Sequence, residues 1–311
     1  MAPFSSREAF ERNIGLIAPQ EQNTLARARV AIAGCGGVGG LHAHALARLG
    51  VGRFRLTDPD TFSLSNINRQ IGATVHTVGE NKAIITAKMI QSINPEAEVE
   101  IIQGGVRAEN AAGFVRNADL IVDGIDFFVM DARRRLFAAA WNSGIPALTA
   151  APLGFSSTLH VFAPGGMSFD EYFDLHPNQD YLDQIVKFAV GLAPKALHFP
   201  YMDLSTVDPK TGRGPSSIIG TQMAACLIAS EAVRLLLGRG VSALAPYFLQ
   251  IDAYRQSFHK GYLRHGNRNW TQQIKYRLLK NRLNQLGWGE AFQAPVTVGL
   301  ENFDSTFDSV S

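Results

Sequence analysis

Five short segments between residues 33 and 126 carry the glycines and charged side chains that phosphate chemistry needs: AGCGGVGG at 33–40, TDPD at 57–60, SNINRQ at 65–70, VGENK at 78–82 and VDGID at 122–126. The Gly-rich stretch follows an apolar strand-like run (29–33) and opens a helical pattern (37–49), the context in which such a turn holds a phosphate. There Gly34 permits the tight turn out of the strand, Gly36 lets backbone N–H groups approach an anion, and Gly39 lets helix and sheet pack closely. The helix N-terminus adds free N–H groups and the positive end of its dipole. Taken alone, this loop fits NAD as well as a mononucleotide, with Asp58 at the end of the next strand-like run (53–57) placed for ribose hydroxyls.

Two cations decide between them. Arg69 and Lys82 follow Asp58 within 25 residues, and a dinucleotide site has no use for that much positive charge beyond its ribose acid. An Arg grips phosphate oxygens in a fork, and a Lys brings a mobile point charge to a leaving group. Either residue alone reads as an ordinary solvated charge; the joint set is the signal. Past the apolar run 120–123, Asp126 sits where open α/β sheets bind ligands. One carboxylate there suffices for Mg²⁺, which keeps several waters and takes phosphate oxygens for the rest. Asp123 is the rival carboxylate, and its simpler role is to cap a nearby turn.

The string DPDTFSLSNINRQ at 58–70 followed by TVGENKA at 77–83 resembles the signature of the ThiF/MoeB/HesA-type adenylyltransferases, relatives of the ubiquitin-activating enzymes. The resemblance is firm over 29–126 and extends more loosely to about residue 252. It implies that Gly34, Gly36, Gly37 and Gly39 cradle ATP, Asp58 holds the ribose, Asn66 and Arg69 contact phosphates, Lys82 neutralises the α-phosphate region and Asp126 holds Mg²⁺. The stretch Phe10-Glu11-Arg12-Asn13 is similar to the family's Arg-Tyr-x-Arg-Gln motif, which implies that Arg12 reaches the nucleotide of a partner subunit in a two-fold homodimer. The chain departs from the pattern in three places: Phe127 stands where the family usually has Asn, Ala9 replaces the first Arg of the N-terminal motif, and Asp131 occupies the place of a later Arg, with Arg133, Arg134 and Arg135 just beyond.

The chemistry so implied is adenylation of a carboxylate: its oxygen attacks the α-phosphate in line and pyrophosphate leaves, so the site must align groups and stabilise charge. The expected substrate is the C-terminus of a ubiquitin-like or sulfur-carrier protein or a peptide, ahead of a carbamoyl group on modified tRNA. No cysteine lies in 151–225, where ubiquitin-activating relatives place a thioester-forming one, so the acyl-adenylate passes to a nucleophile from elsewhere. An NAD-dependent oxidoreductase and a non-catalytic nucleotide-binding interaction module stand as alternatives.

Composition bounds these readings. The 311 residues carry a net charge of only +2 and 46% hydrophobic residues, enough for a large core and too little charge for a broad nucleic-acid footprint. The only two cysteines, Cys35 and Cys226, exclude a Cys₄ zinc site and read as small buried side chains in a cytoplasmic protein. Apolar runs read as too short or interrupted to span a bilayer, no signal-peptide order is present, and no repeat occurs.

Positioning the site requires alternating strands and helices. Residues 1–28 form a helical arm broken near Pro19. From 29 to 151 strand and helix patterns alternate, which predicts a Rossmann-like, doubly wound α/β sheet that is parallel in its first half. Run 156–162 follows too closely for a crossover helix, so antiparallel strands belong to the C-terminal half of this mixed sheet. The adenylation domain thus spans 29–252. Within it, 163–216 reads as an irregular, acidic crossover, studded with Pro, Gly and aromatics and facing substrate. Residues 253–311 read as a basic helical extension with a polar tail. Eight Lys or Arg and no acid lie between Tyr254 and Gly289, and Ile274, Leu278, Leu279, Leu283 and Leu286 give 271–287 an amphipathic face for this domain or a partner.

Overall fold

A computed structural model describes residues 3–292; the acidic tail positions Glu301, Asp304 and Asp308 lie outside them. A short helix α1 (Ser6–Ala9), a 3₁₀ turn (Glu11–Asn13) and α2 (Pro19–Arg27) form the N-terminal arm, with Pro19 opening α2 at its first turn, where its missing N–H costs nothing. The α/β part then runs β1 (Arg29–Ala33), α3 (Gly39–Arg48), β2 (Arg53–Thr57), α4 (Lys82–Ile93), β3 (Glu98–Ile101), α5 (Ala111–Val115), β4 (Leu120–Asp123), α6 (Met130–Asn142) and β5 (Ala147–Thr149). Next come β6 (Pro152–Leu153), β7 (Ser156–Phe162), α7 (Phe169–Phe173), α8 (Tyr181–Leu192), α9 (Ile218–Leu236), β8 (Tyr247–Asp252), β9 (Ser257–Tyr262), α10 (Trp270–Gln285) and α11 (Trp288–Ala291).

One sheet carries all nine strands in the order β3-β2-β1-β4-β5-β7-β8-β9, with β6 on β7. The first five are parallel, and β7, β8 and β9 are antiparallel. Strands β1 and β4 are apolar at nearly every position because both faces are covered. Val30, Ile32, Leu120 and Val122 enter the layer shared with α3, α4 and α9. Their neighbours Ala31, Ala33 and Ile121 enter the layer shared with α5, α6, α7 and α8. Strand order reverses direction between β1 and β4, leaving a crevice at their C-terminal ends.

Three expectations change. Residues 163–216 are not irregular throughout: α7 and α8 occupy much of them, and Phe169, Tyr172, Phe173 and Phe188 are buried core. Helix α8 packs between β7 and α10. The boundary at 252 cuts a hairpin, since β9 pairs along its length with β8; sheet, not helix, opens the extension. Helix α9 is long and apolar enough to cross a membrane by length and composition. Its Gly220, Thr221, Ala224, Ile228 and Ala232 are buried, and it packs on α3 and β7.

Candidate functional site

The turn after β1 is fixed by backbone crowding. Gly34 has φ +88°, and a Cβ there would stand 2.2 Å from the Gly124 carbonyl oxygen. A Cβ on Gly39 would meet the Gly34 carbonyl oxygen at 1.8 Å. Both glycines are therefore demanded by the fold. Gly36 and Gly37 are not: Cβ atoms there would lie 3.7 Å from Gln70 Nε2 and 3.6 Å from Thr221 Cγ2, ordinary contact distances. Bare backbone at these two positions leaves room for a group that approaches from outside. Helix α3 starts directly behind, and no side-chain cap competes for the N–H groups of its first turn, the arrangement in which a helix N-terminus holds an anion.

Asp58, 7% exposed, ends β2 and braces this turn. Its Oδ2 accepts from the Cys35 N–H (2.6 Å) and its Oδ1 from the Asp60 N–H (2.8 Å). Burial pushes its pKa up, and the charge of Lys82 pulls the other way. Lys82 opens α4, where Asn81 caps the helix by accepting from the N–H groups of Ala83 and Ile84. The Lys82 ammonium is buried and donates to Asp60 Oδ2 at 2.9 Å. Cys35 is buried in the turn itself.

Residues 63–70 form a compact loop that presents Arg69. Asn66 is buried, and its Oδ1 accepts from the Ser63 N–H at 3.1 Å as a capping group; that oxygen is occupied by the loop's own backbone. Arg69 donates to the Ser65 carbonyl and Asn68 Oδ1, both at 2.9 Å. Burial lowers its pKa, with Asp126 opposing, and among the described residues no carboxylate pairs with it. Its Nε lies 3.9 Å from the position a Cβ would take on Gly37, so the guanidinium borders the phosphate turn. The loop is tied to α9 by Asn68, which donates to the Ser216 carbonyl at 3.0 Å.

The two carboxylates at the C-terminal end of β4 part company. Asp123 is buried, accepts from Arg133 Nε and Thr149 Oγ1, each at 2.9 Å, and caps its turn by accepting from the Ile125 N–H at 3.0 Å. Those bonds and the Arg133 charge tie it into the fold. Asp126 is exposed and receives a single hydrogen bond, from the Phe128 N–H to Oδ1 at 2.9 Å. Its other oxygen is free among the described residues, which fits a Mg²⁺ ion that takes one protein carboxylate beside phosphate oxygens. No cluster of three or more His, Cys, Asp or Glu side chains exists among the described residues.

Sequence reasoning missed several neighbours. Gln70 is 7% exposed, packs on Gly36, and its Oε1 has no partner; the adjacent Arg69 was the only signal for it. Gly212 brings the 207–214 turn to Asp126, with a Cβ position 3.9 Å from Asp126 Oδ1 and 3.3 Å from Phe128 Cδ2. Arg12 is not brought to these groups. It is exposed in the 3₁₀ turn beside Asn13, whose amide donates to the Leu49 carbonyl at the far end of α3. The ten residues of α3 put about 15 Å between that end and the Gly-rich turn. Cys226 is exposed rather than buried.

Comparison with known proteins agrees with this geometry. Residues 10–271 match the model of the ThiF family. The chain is 30% identical over 244 residues to a sulfur carrier protein adenylyltransferase of Thermus thermophilus, covering 78% of this chain and 82% of that one. It is 28% identical over 242 residues to the SAMP-activating enzyme E1 of Haloferax volcanii, covering 78% and 79%. A tRNA threonylcarbamoyladenosine dehydratase of Bacillus subtilis is 46% identical over only 90 residues, 29% of this chain and 35% of that one. Among solved structures, PaaA superposes with a TM-score of 0.63 at 20% identity, covering 84% and 85% of the two chains. Escherichia coli MccB does so at 0.60 and 18%, covering 79% and 67%. The Gly-rich turn, the two cations and the open carboxylate of Asp126 thus sit in a chain that belongs to the ThiF family.

Proposed function

We propose that this protein is an ATP-dependent adenylyltransferase that activates a carboxylate, the C-terminus of a ubiquitin-like or sulfur-carrier protein or of a peptide, as an acyl-adenylate with release of pyrophosphate. The observation that carries the reading is the meeting, at one end of the sheet, of a phosphate turn with two sterically unforced glycines, Arg69, Lys82 and the open carboxylate of Asp126. ATP supplies the electrophilic α-phosphate, and Mg²⁺ would be held by Asp126. The α3 N-terminus and Arg69 would orient the phosphates, Lys82 would exchange part of its bond to Asp60 for the reacting phosphate, and Asp58 would meet the ribose. Cys35, inside the phosphate turn, is buried and its pKa is raised by that burial, which argues against it as a nucleophile. An oxidoreductase would need neither Arg69 nor Lys82, and the relatives favour adenylation over it.

A homodimer in which Arg12 serves the neighbour's site is part of the proposal, supported by the separation of Arg12 from its own site. The exposed Leu64, Ile67, Val75 and Val78 beside that site support it further. A cytoplasmic setting fits two free cysteines. Stabilisation by ATP with Mg²⁺, weakened about tenfold in apparent affinity by Lys82→Ala, is the expected outcome for a charge-assisted contact. Stabilisation by NAD alone, indifferent to Lys82, would sink the reading. Pyrophosphate exchange with peptides bearing a free C-terminus then identifies the carboxylate class.

A further inference from the structure

Immediately after Asp126 the chain places Phe127 and Phe128, and Phe127 departs from the family pattern. The two rings meet edge to face at 5.1 Å between centroids. Phe127 leans on Phe188 of α8 at 5.3 Å. Phe128, 7% exposed, contacts Trp288 of α11 at 6.1 Å and Phe292 at 6.4 Å. Trp288 is itself 6% exposed and packs on Phe292 at 5.9 Å; Phe292 also meets Tyr181 at 5.3 Å. The C-terminal helices therefore end inside an aromatic cluster whose other half is the loop carrying Asp126.

The loop is gripped from its inner side by Arg133, which pairs with Asp123, donates to the carbonyls of Phe127 and Ile125, and lies over Phe188 at 4.6 Å. On its outer side the loop meets α11 through Trp288 and the 207–214 turn, where a Cβ on Gly212 would lie 3.3 Å from Phe128 Cδ2. Among the described residues the one hydrogen bond to the Asp126 carboxylate comes from the backbone N–H of Phe128, so the direction of that carboxylate follows the placement of the Phe128 backbone. Moving the Phe128 ring by losing its Trp288 wall would swing the donor and with it the carboxylate.

We propose that α10 and α11 form a strut that sets the Asp126 carboxylate, with Trp288 and Phe292 as positioning residues acting through Phe128. The inference rests on the reading of Asp126 as the metal-holding carboxylate. It assigns the C-terminal extension a role in ATP and metal binding, and it gives the aromatic pair 127–128 a purpose beyond core filling. Groups that orient a ligating carboxylate change metal affinity without touching the metal.

The test uses full-length protein and measures thermal stabilisation by ATP across a Mg²⁺ titration, and by ATP with chelator. Trp288→Ala is expected to raise the Mg²⁺ concentration for half-maximal stabilisation by about tenfold, to leave stabilisation by ATP with chelator unchanged, and to be rescued by Trp288→Phe. A lowered melting temperature with an unchanged Mg²⁺ midpoint overturns the strut and leaves Trp288 as core packing. Loss of ATP binding with chelator overturns it too, because the effect would then not pass through Asp126. Failure of the metal reading itself is visible separately, as absence of any Mg²⁺ dependence in the unaltered protein. If Trp288→Ala does not fold, hydrogen exchange on the unaltered protein decides: binding and docking are reciprocal, so ATP with Mg²⁺ must slow exchange at residues 288–292 more than ATP with chelator. Equal rates overturn the proposal.

Discussion

Gly36 and Gly39 stand three residues apart in one turn and answer to different constraints. A methyl at Gly39 would collide with the Gly34 carbonyl at 1.8 Å, whereas one at Gly36 would rest against Gln70 at 3.7 Å. Gly39→Ala is therefore expected to cost about 3 kcal/mol in chemical denaturation, at the upper end for overpacking. Gly36→Ala should leave unfolding nearly unchanged and weaken ATP roughly tenfold, the worth of one charge-assisted hydrogen bond of about 1.5 kcal/mol. Equal losses of stability in the two variants would show that Gly36 serves the fold after all. The sequence made the division readable because glycine roles follow from position in a strand–turn–helix unit. It did not reveal that Asp123 is held by Arg133 and Thr149. Those bonds join residues whose proximity depends on loop closure and strand order, which no local pattern encodes.

At the scale of elements, the acidic segment 163–216 and the basic run 254–289 are two halves of one contact. Lys280 of α10 pairs with Asp183 of α8, Tyr276 donates to the same carboxylate at 2.6 Å, and Arg268 reaches Glu171 at 3.5 Å. Nearby, Arg134 takes Asp170 at 2.7 Å and Lys187 takes Asp174 at 2.6 Å. Each charge bias was legible along the chain, but their mutual cancellation was not, since it needs α10 laid on α8. Helix α10 buries Leu283 at 4% exposure while Ile274 and Leu278 stand 48% and 65% exposed. Leu283→Ala should consequently destabilise the protein by about 2–3 kcal/mol, and Leu278→Ala by less than about 0.5 kcal/mol. Urea unfolding of the two variants separates packing on this domain from docking on a partner: a large loss at Leu278 that grows with protein concentration would move the contact to a second chain.

Across the whole molecule, buried imidazoles tie stability to pH. Burial holds His42 and His160 neutral, with pKa values down to about 3, against about 6.5 in an unfolded chain. The unfolded state thus binds more protons over that interval, so stability is complete above about pH 6.5 and falls on acidification, by up to about 1.4 kcal/mol per pH unit for each imidazole. His42→Leu should flatten the slope measured between pH 6 and 5 by about that amount, and an unaltered slope would mean that His42 is protonated in the fold. The larger question is where Arg12 acts. Its arm is anchored at the Leu49 end of α3 by the amides of Asn13 and Gln22, and the phosphate turn lies at the other end of that helix. If the arm serves a two-fold partner, Arg12→Ala and Lys82→Ala damage different halves of each composite site. Mixed dimers then contain one site with both defects and one with neither. Random exchange makes half the dimers mixed, so two inactive variants should recover about a quarter of wild-type pyrophosphate exchange on mixing. No recovery, with subunit exchange verified by mass spectrometry of labelled chains, would place Arg12 in its own chain's site or outside catalysis. Recovery needs the two residues to meet across the dimer axis, because a defect confined to one chain would travel with that chain into every mixed pair.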